Sequence, residues 1–489
     1  MADKPLSALA SQAPMQVLIV SSMYPTEANP VGGIFIHEQV KALRSRGIDA
    51  RVVTGDPLWL SGRRPVRSVY TYLRSLRHQP PAKWKTYDGV PVCRFQFPAG
   101  SFSRTWNYPF FYSFSLRRAL ASLTDGFAYE LVHCHTAYLD GRAAAMAART
   151  ANVPLILTEH TGPFSSVTER WTMRIHTQAG IDAAHRVIAV SAALKNAICQ
   201  SLTSVSPDKI VVIPNGTDTS LFDPNVSNAA ADVLGADAYT KLWPKFLERM
   251  EASVGETITP ELIDRFVEDS LAAALVAERA RGREAVALDD GEVVNAIWVG
   301  HHVDVKRVDR LIDAFAIARR HRPELRLTLV GDGPLKADHQ RRAAQLGVEA
   351  YTTFLPGKNR HGVKFEVGNA SFLVISSEVE TFGVVAIEAL SMGKPVLSTA
   401  CGGPDDILND RRLGELVPNT MEDLALGLQR MAARMTDFDA RVIRQEAIAR
   451  FDFGAVAQRL TEQYDKLLMR GVKGGVGQQQ PATAVSRSD

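Results

Sequence analysis

The sequence predicts two doubly wound α/β domains, and three observations point there. Short apolar runs alternate with helix-period patterns in two separate series. The runs are near-continuously apolar, as in parallel strands covered on both faces. The 489 residues correspond to two or three domains at roughly 100–200 residues each.

The first series opens with VLIV, Val17–Val20, followed by a glycine-bearing loop, SSMYPTEANPVGG. The next pattern is a helix with Ile36, Val40 and Leu43 on one stripe, closed by Gly47. ARVVTG, ELVHCH, VPLILTEH, RVIAVS and KIVVIPNG then read as strands. The second series starts at AIWVG, Ala296–Gly300. The helix after it sets Val308, Leu311, Ile312 and Phe315 at helical spacing. LRLTLVG, SFLVISS and PVLSTA supply further strands. In such sheets ligands sit at the carboxyl ends of the strands.

Three segments break the alternation. Gly62–Lys85 holds seven basic residues and no acid, mixed with Tyr70, Tyr72 and Trp84. Ser101–Arg118 is rich in aromatics. Val226–Glu292 carries 14 acidic against 7 basic residues and a helix capped by Thr259 and Pro260. The resulting organisation is a flexible N-terminus over 1–14, a first domain over 15–224 and an acidic helical insertion over 225–292. A second domain follows over 293–450, then a final helix over 451–470 and a disordered tail over 471–489.

Composition narrows the function. Apolar residues are 46% and charged residues 22%, which is globular rather than disordered. The net charge of +3 gives no mandate for nucleic acid. The four cysteines, Cys93, Cys134, Cys199 and Cys401, form no C-x-x-C pair, so no zinc ribbon or disulfide scaffold is expected and a reducing cytoplasm suits them. No run of about 18 apolar residues is present to span a membrane.

The densest chemical signal is SFLVISSEVETFGVVAIEALSMGKPVL. A strand ends at Ser377, a loop bears Glu380, Thr381, Phe382 and Gly383, and a helix then carries Glu388. The start of that helix offers unpaired N–H groups and a positive dipole end, suited to a phosphate or a sugar oxygen. A carboxylate at Glu388 can accept two bonds from a ribose diol.

This string resembles the E-x7-E signature of the retaining glycosyltransferases of family 4. VGGIFIHEQVKAL, HCHTAYLDG, TEHTGPF, IPNGTDTSLFDP, VGDGPL and CGGPDDIL extend the resemblance over about Gln16–Pro224 and Val293–Leu468. It implies the GT-B fold, two Rossmann-like domains facing across a cleft, with the final helix crossing back onto the N-terminal domain. It also implies a nucleotide-sugar donor held mainly by the C-terminal domain and a glycan or lipid-linked acceptor. By family position the catalytic residues are His135, Lys306 and Glu380. Donor-binding residues are Gly32, Gly33, His160, His301, Lys306, Gly331, Glu380, Thr381, Phe382, Gly383 and Glu388. No cofactor and no metal are expected. His133 shares a strand face with His135 without a third ligand, and Asp437–Asp439 reads as solvated surface.

One departure stands out. The family pairs an Arg with a Lys five residues on; here Lys306 fills the second place and His301 the first. An imidazole with an ordinary pKa of about 6.5 is mostly neutral at pH 7, so either His301 is protonated against the diphosphate, Arg307 or His302 substitutes, or activity is reduced. The basic-aromatic segment 62–85 suits an anionic membrane surface on the cytoplasmic side, and a solvated loop is the plainer alternative. Two rival functions remain open, a non-catalytic binding or scaffold subunit and another GT-B enzyme such as a sugar-nucleotide epimerase or a phosphorylase.

Overall fold

The computed structural model describes residues 14–475, apart from 27–28, 30–31, 61–66, 68–69, 72–73, 75–81, 101–107, 124–125, 203 and 226–292. The expected acidic insertion, the tail beyond 475 and most of 62–85 therefore lie outside the described residues. The chain divides into two compact units. One comprises the described residues up to Val190, Leu194–Pro214 and those from Val456 onward; the other comprises Ser191–Ala193 and those of Asn215–Ala455.

Among the described residues the first unit is built on eight strands: β1 (Gln16–Ser21), β2 (Asp49–Trp59), β3 (Lys85–Tyr87), β4 (Val90–Ala99), β5 (Leu131–His135), β6 (Leu155–Glu159), β7 (Arg186–Ala189) and β8 (Ile210–Val212). Their order in the sheet is β3-β4-β2-β1-β5-β6-β7-β8. All neighbours are parallel except β3 and β4. Val17–Val20 are wholly buried because β1 lies mid-sheet with cover on both faces. The helix Ile34–Ser45 buries Ile36, Val40 and Leu43, the stripe its spacing predicts. Gly47 closes it at φ 83°.

The aromatic-rich stretch becomes a helix from Tyr108 to Ser122. Tyr112 is fully buried and packs on Phe95 and Phe97, while Phe110 and Phe114 of the same helix stay exposed. The helix Phe453–Gly475 inserts Val456, Leu460 and Tyr464 into the same core as Val17, Ile19 and Ile156.

The second unit holds β9 (Val294–Val299), β10 (Leu325–Val330), β11 (Thr352–Leu355), β12 (Phe372–Ile375), β13 (Val396–Thr399) and β14 (Gly414–Val417), ordered β11-β10-β9-β12-β13-β14 and parallel throughout. Val308, Leu311, Ile312 and Phe315 on the helix Val308–His321 are buried against this sheet with Leu327 and Phe372. Asp437 pairs with Arg434 and Asp439 caps the helix Ala440–Phe451, so this D-x-D serves local structure. No described helix is long and apolar enough to cross a membrane.

Leu460 is 1% exposed in the first core. Leu460→Ala is expected to lower stability by about 2–5 kcal/mol through lost burial and the cavity left behind. Urea unfolding of the full chain measures it, and a loss below about 1 kcal/mol would show that this helix is not part of the first core.

Candidate active site

In each unit the candidate residues lie where the chain leaves the carboxyl ends of the parallel strands. In the first unit the loop after β1 ends at Gly33, which starts its helix at φ 71°. A Cβ there would lie 2.5 Å from the Met23 carbonyl oxygen, so both the turn and the close approach require glycine. The Gly32 N–H donates to Asn29 Oδ1 at 3.0 Å, so a phosphate at this amide must displace Asn29.

His135 ends β5, and His160 follows the last residue of the adjacent β6. Their rings stack at 5.3 Å, with His135 Nδ1 and His160 Nε2 3.0 Å apart. The Phe35 ring lies 4.9 Å from His160. His135 is wholly buried and His160 partly so. Burial, reinforced by His133 and His160, drives the His135 pKa well below its ordinary value; the imidazole is neutral at neutral pH. Its Nε2 is buried without a hydrogen-bond partner among the described residues. His133 sits behind, held by Tyr464 Oη and Thr158 Oγ1, each at 2.7 Å, and burial lowers its pKa to about 3. It is a core histidine.

In the second unit Lys306 closes a short 3-10 turn after β9, and its ammonium forms an ion pair with Glu380. The two loops are tied by their backbones as well: Glu378 N–H donates to Val305 O at 2.8 Å, and Ser376 Oγ to Lys306 O at 2.9 Å. Glu380 is clamped on its other side, donating to Cys401 O and accepting from the Gly403 N–H at 2.7 Å. A Cβ on Gly403 would lie 2.2 Å from the Phe382 Cα, which makes this approach specific to glycine. Thr381 is partly buried and Phe382 wholly so, and Gly383 at φ 93° opens the helix Val384–Ser391. Gly331 at φ 150° packs its backbone onto Gly300.

Glu388 stands one turn into that helix, apart from the Lys306–Glu380 pair. Burial pushes its carboxyl up to about 7, opposed by the Arg360 guanidinium. His301 is exposed, with Nδ1 3.2 Å from Asp332 O. The two other candidates for its cationic role are committed elsewhere. His302 is buried, with Nδ1 2.9 Å from His339 Nδ1, and burial lowers its pKa to about 4. Arg307 binds Asp309 and Glu378.

One trio among the described residues, His37, Glu38 and Asp88, sets possible metal-ligand atoms within 4.8 Å of one another. Lys41 pairs with both acids, and the His37 ring nitrogens engage Tyr24 and Asp88, so the cluster reads as an ion-pair network. Sequence reasoning missed Asp140 and Glu159, two fully buried acids beside the first unit's histidines. It also missed Arg360, whose charge acts on Glu388 to oppose the effect of burial.

Residues 283–444 match the family described as "Glycosyl transferases group 1", and residues 32–221 match "Glycosyltransferase Family 4". A D-inositol 3-phosphate glycosyltransferase from Kribbella flavida is 30% identical over 233 residues, which are 44% of this chain and 54% of that protein. The match thus spans about half the length of that relative. The glycosyltransferase TuaC of Bacillus subtilis, named for teichuronic acid biosynthesis, is 24% identical over 94% of this chain and all of its own length. Among solved structures, sucrose-phosphate synthase from Thermosynechococcus elongatus superposes with a TM-score of 0.62 at 18% identity, covering 93% of this chain and 100% of that one. Anabaena Alr3699/HepE in complex with UDP and glucose gives 0.58 at 19% identity, covering 93% and 100%. These likenesses show the GT-B fold.

The raised Glu388 pKa makes a signed prediction. The folded chain keeps a proton that the unfolded chain releases near 4.5, so this group's contribution to stability is full below that value and is lost as pH rises through about 7. The buried histidines act oppositely, since their depressed pKa values cost stability as pH falls below about 6.5. Glu388→Gln isolates the first effect. Compared by urea unfolding, the variant should gain on wild type between about pH 5 and 7.5; a pH-independent difference would exclude the shift.

Proposed function

The chain belongs to glycosyltransferase family 4, and on that footing we propose that it moves a hexosyl unit, with retention of anomeric configuration, from a nucleotide-sugar to a glycan or lipid-linked acceptor. The observation that carries this reading is the Lys306–Glu380 ion pair beside the start of the helix Val384–Ser391. Cleaving the anomeric C–O bond leaves charge on a diphosphate. A site that stabilises that charge as it develops supplies the largest part of the rate. Lys306 supplies a mobile cation, and the helix start supplies N–H groups and a positive dipole end. In this proposal the diphosphate replaces Glu380 as the counter-ion of Lys306, and the freed carboxylate accepts from sugar hydroxyls. Glu388 takes the ribose diol. Gly331, Thr381, Phe382 and Gly383 shape the donor subsite, and Gly32 and Gly33 bring backbone close to the diphosphate. The His135–His160 pair serves the sugar as neutral imidazole, able to exchange hydrogen bonds without adding charge. His301 takes the place of the family Arg as an imidazolium induced by the diphosphate, a role supported by its exposure at the end of β9. No metal or other cofactor takes part in this proposal.

The chain's working place is proposed to be the cytoplasmic face of a membrane. Arg67, Tyr70 and Arg74 of the basic-aromatic segment are described and exposed. The helix Tyr108–Ser122 of the same unit exposes Phe110, Phe114, Arg117 and Arg118 along one stripe. Aromatics beside basic residues suit an anionic lipid surface.

Calorimetry with UDP-glucose, GDP-mannose and ADP-glucose tests the donor site. Glu388→Ala should weaken binding of whichever binds best, and unchanged affinity would remove Glu388 from the ribose. Donor affinity should fall from about pH 6 to 8 in wild type and stay flatter in His301→Arg. Lys306→Ala should lower kcat by about 10²–10³-fold. A protein that binds a donor yet neither transfers nor hydrolyses it would be a scaffold subunit.

Co-sedimentation with anionic liposomes tests the membrane face. Neutralising the seven basic residues of 62–85 should release the protein, and equal sedimentation by the variant rejects the patch.

A further inference from the structure

Three neighbouring strands of the first sheet, β1, β5 and β6, are laced together at their carboxyl ends by two buried acids. Glu159, the last residue of β6, is wholly buried. Its Oε1 accepts from the N–H groups of His160 at 2.9 Å and Thr161 at 2.8 Å, and its Oε2 from the Ala137 N–H at 2.7 Å. One carboxylate thus grips the chain at His160 and two residues beyond His135. Asp140, also wholly buried, makes the next stitch. Its Oδ2 accepts from Ser22 Oγ at 3.0 Å, on the chain leaving β1, and from Thr136 Oγ1 at 3.1 Å.

Thr136 lies between these anchors with φ 85° and ψ 140°. A β-branched residue avoids that region, and such strain persists only where the surroundings over-determine it. The chain then makes a π turn over Ala137–Gly141, a rare element that often falls at functional sites. Gly180 closes over the turn, since a Cβ there would lie 2.6 Å from Ala137 O.

Stability alone does not account for this arrangement. Buried carboxylates cost free energy unless well bonded, and apolar side chains of similar size often serve a fold as well. Asp140 also faces the buried Tyr112 hydroxyl, and burial raises its own pKa to about 7, so the fold holds this acid at a cost. What the lacing does determine is the direction in which the chain leaves His135, and so the 3.0 Å approach of its ring to His160.

We propose that Glu159 and Asp140 are positioning residues of the transfer reaction, holding Thr136 in its strained conformation and thereby fixing the His135–His160 imidazole pair. The kinetic part of this proposal rests on the reading of those histidines as part of the transfer site; the spectroscopic part does not.

The test uses the full chain and three variants, Thr136→Gly, Glu159→Gln and Asp140→Asn. It measures Tm, kinetics with the best-bound of UDP-glucose, GDP-mannose and ADP-glucose, and ring signals of selectively 15N-labelled histidine. Thr136→Gly relieves the unfavourable φ while removing the hydroxyl that Asp140 holds. It should therefore keep or raise Tm, yet lower kcat about 10²-fold with the donor KM within about twofold. A role in stability alone would not divide the readouts this way. The His135 and His160 ring signals should shift in all folded variants, while those of His302 and His339 stay in place. Unmoved His135 and His160 signals, or a Thr136→Gly kcat within about twofold of wild type, overturn the proposal. If wild type turns over none of the three donors, the functional reading fails by itself and the ring signals alone decide the positioning. If Glu159→Gln does not fold, Thr136→Gly and Asp140→Asn decide it.

Discussion

Strand polarity is the constraint on which the rest depends. Apart from β3, every strand of both sheets runs parallel to its neighbours, so within each sheet these strands end on one edge. Loops from that edge deliver the candidate side chains of each unit. The backbone must then be packed closely enough for those side chains to meet. Gly403 against Phe382, Gly331 against Gly300 and Gly33 against Met23 achieve this through contacts that a single methyl group would block.

The two units meet different electrostatic demands. The second presents formal charge: Lys306 is matched by Glu380, with Arg307 and Arg310 both on Glu378 nearby. In the proposed reaction a diphosphate entering there would meet a cation already partnered, exchanging one anion for another without exposing a bare charge. The first unit presents polarity without charge. His133 and His135 are fully buried beside His160, and burial keeps both imidazoles neutral at neutral pH. In the proposed reaction such neutral rings would orient hydroxyl groups without adding charge.

How much was legible in the sequence follows from what each feature depends on. β1, β9 and the helices that follow them were readable because mid-sheet burial leaves a continuous apolar run and helix packing leaves a 3.6-residue stripe. Glu380, Gly383 and Glu388 were readable because a strand, a glycine-bearing loop and a helix lie consecutively in the chain. The helix at Tyr108 was not read, since its one buried aromatic, Tyr112, packs on β4 through contacts that no local period reports. Asp140 and Glu159 gave no signal, because the value of a buried acid lies in N–H and O–H groups brought to it from other strands. The bond from His133 to Tyr464 joins residues 331 apart.

That last bond has a consequence for how the protein is made. The first unit draws its core from the start of the chain and again from Val456 onward, with the whole second unit between. At about 5–20 residues per second, a ribosome needs on the order of tens of seconds to pass from Val190 to Tyr464. Throughout that interval the nascent first sheet lacks its closing helix, and Val17, Ile19 and Ile156 lack the cover that Val456 and Leu460 provide. The later-born lobe can therefore reach its native form first. Until translation is almost done, the earlier one keeps uncovered the apolar surface that Val456 and Leu460 go on to bury.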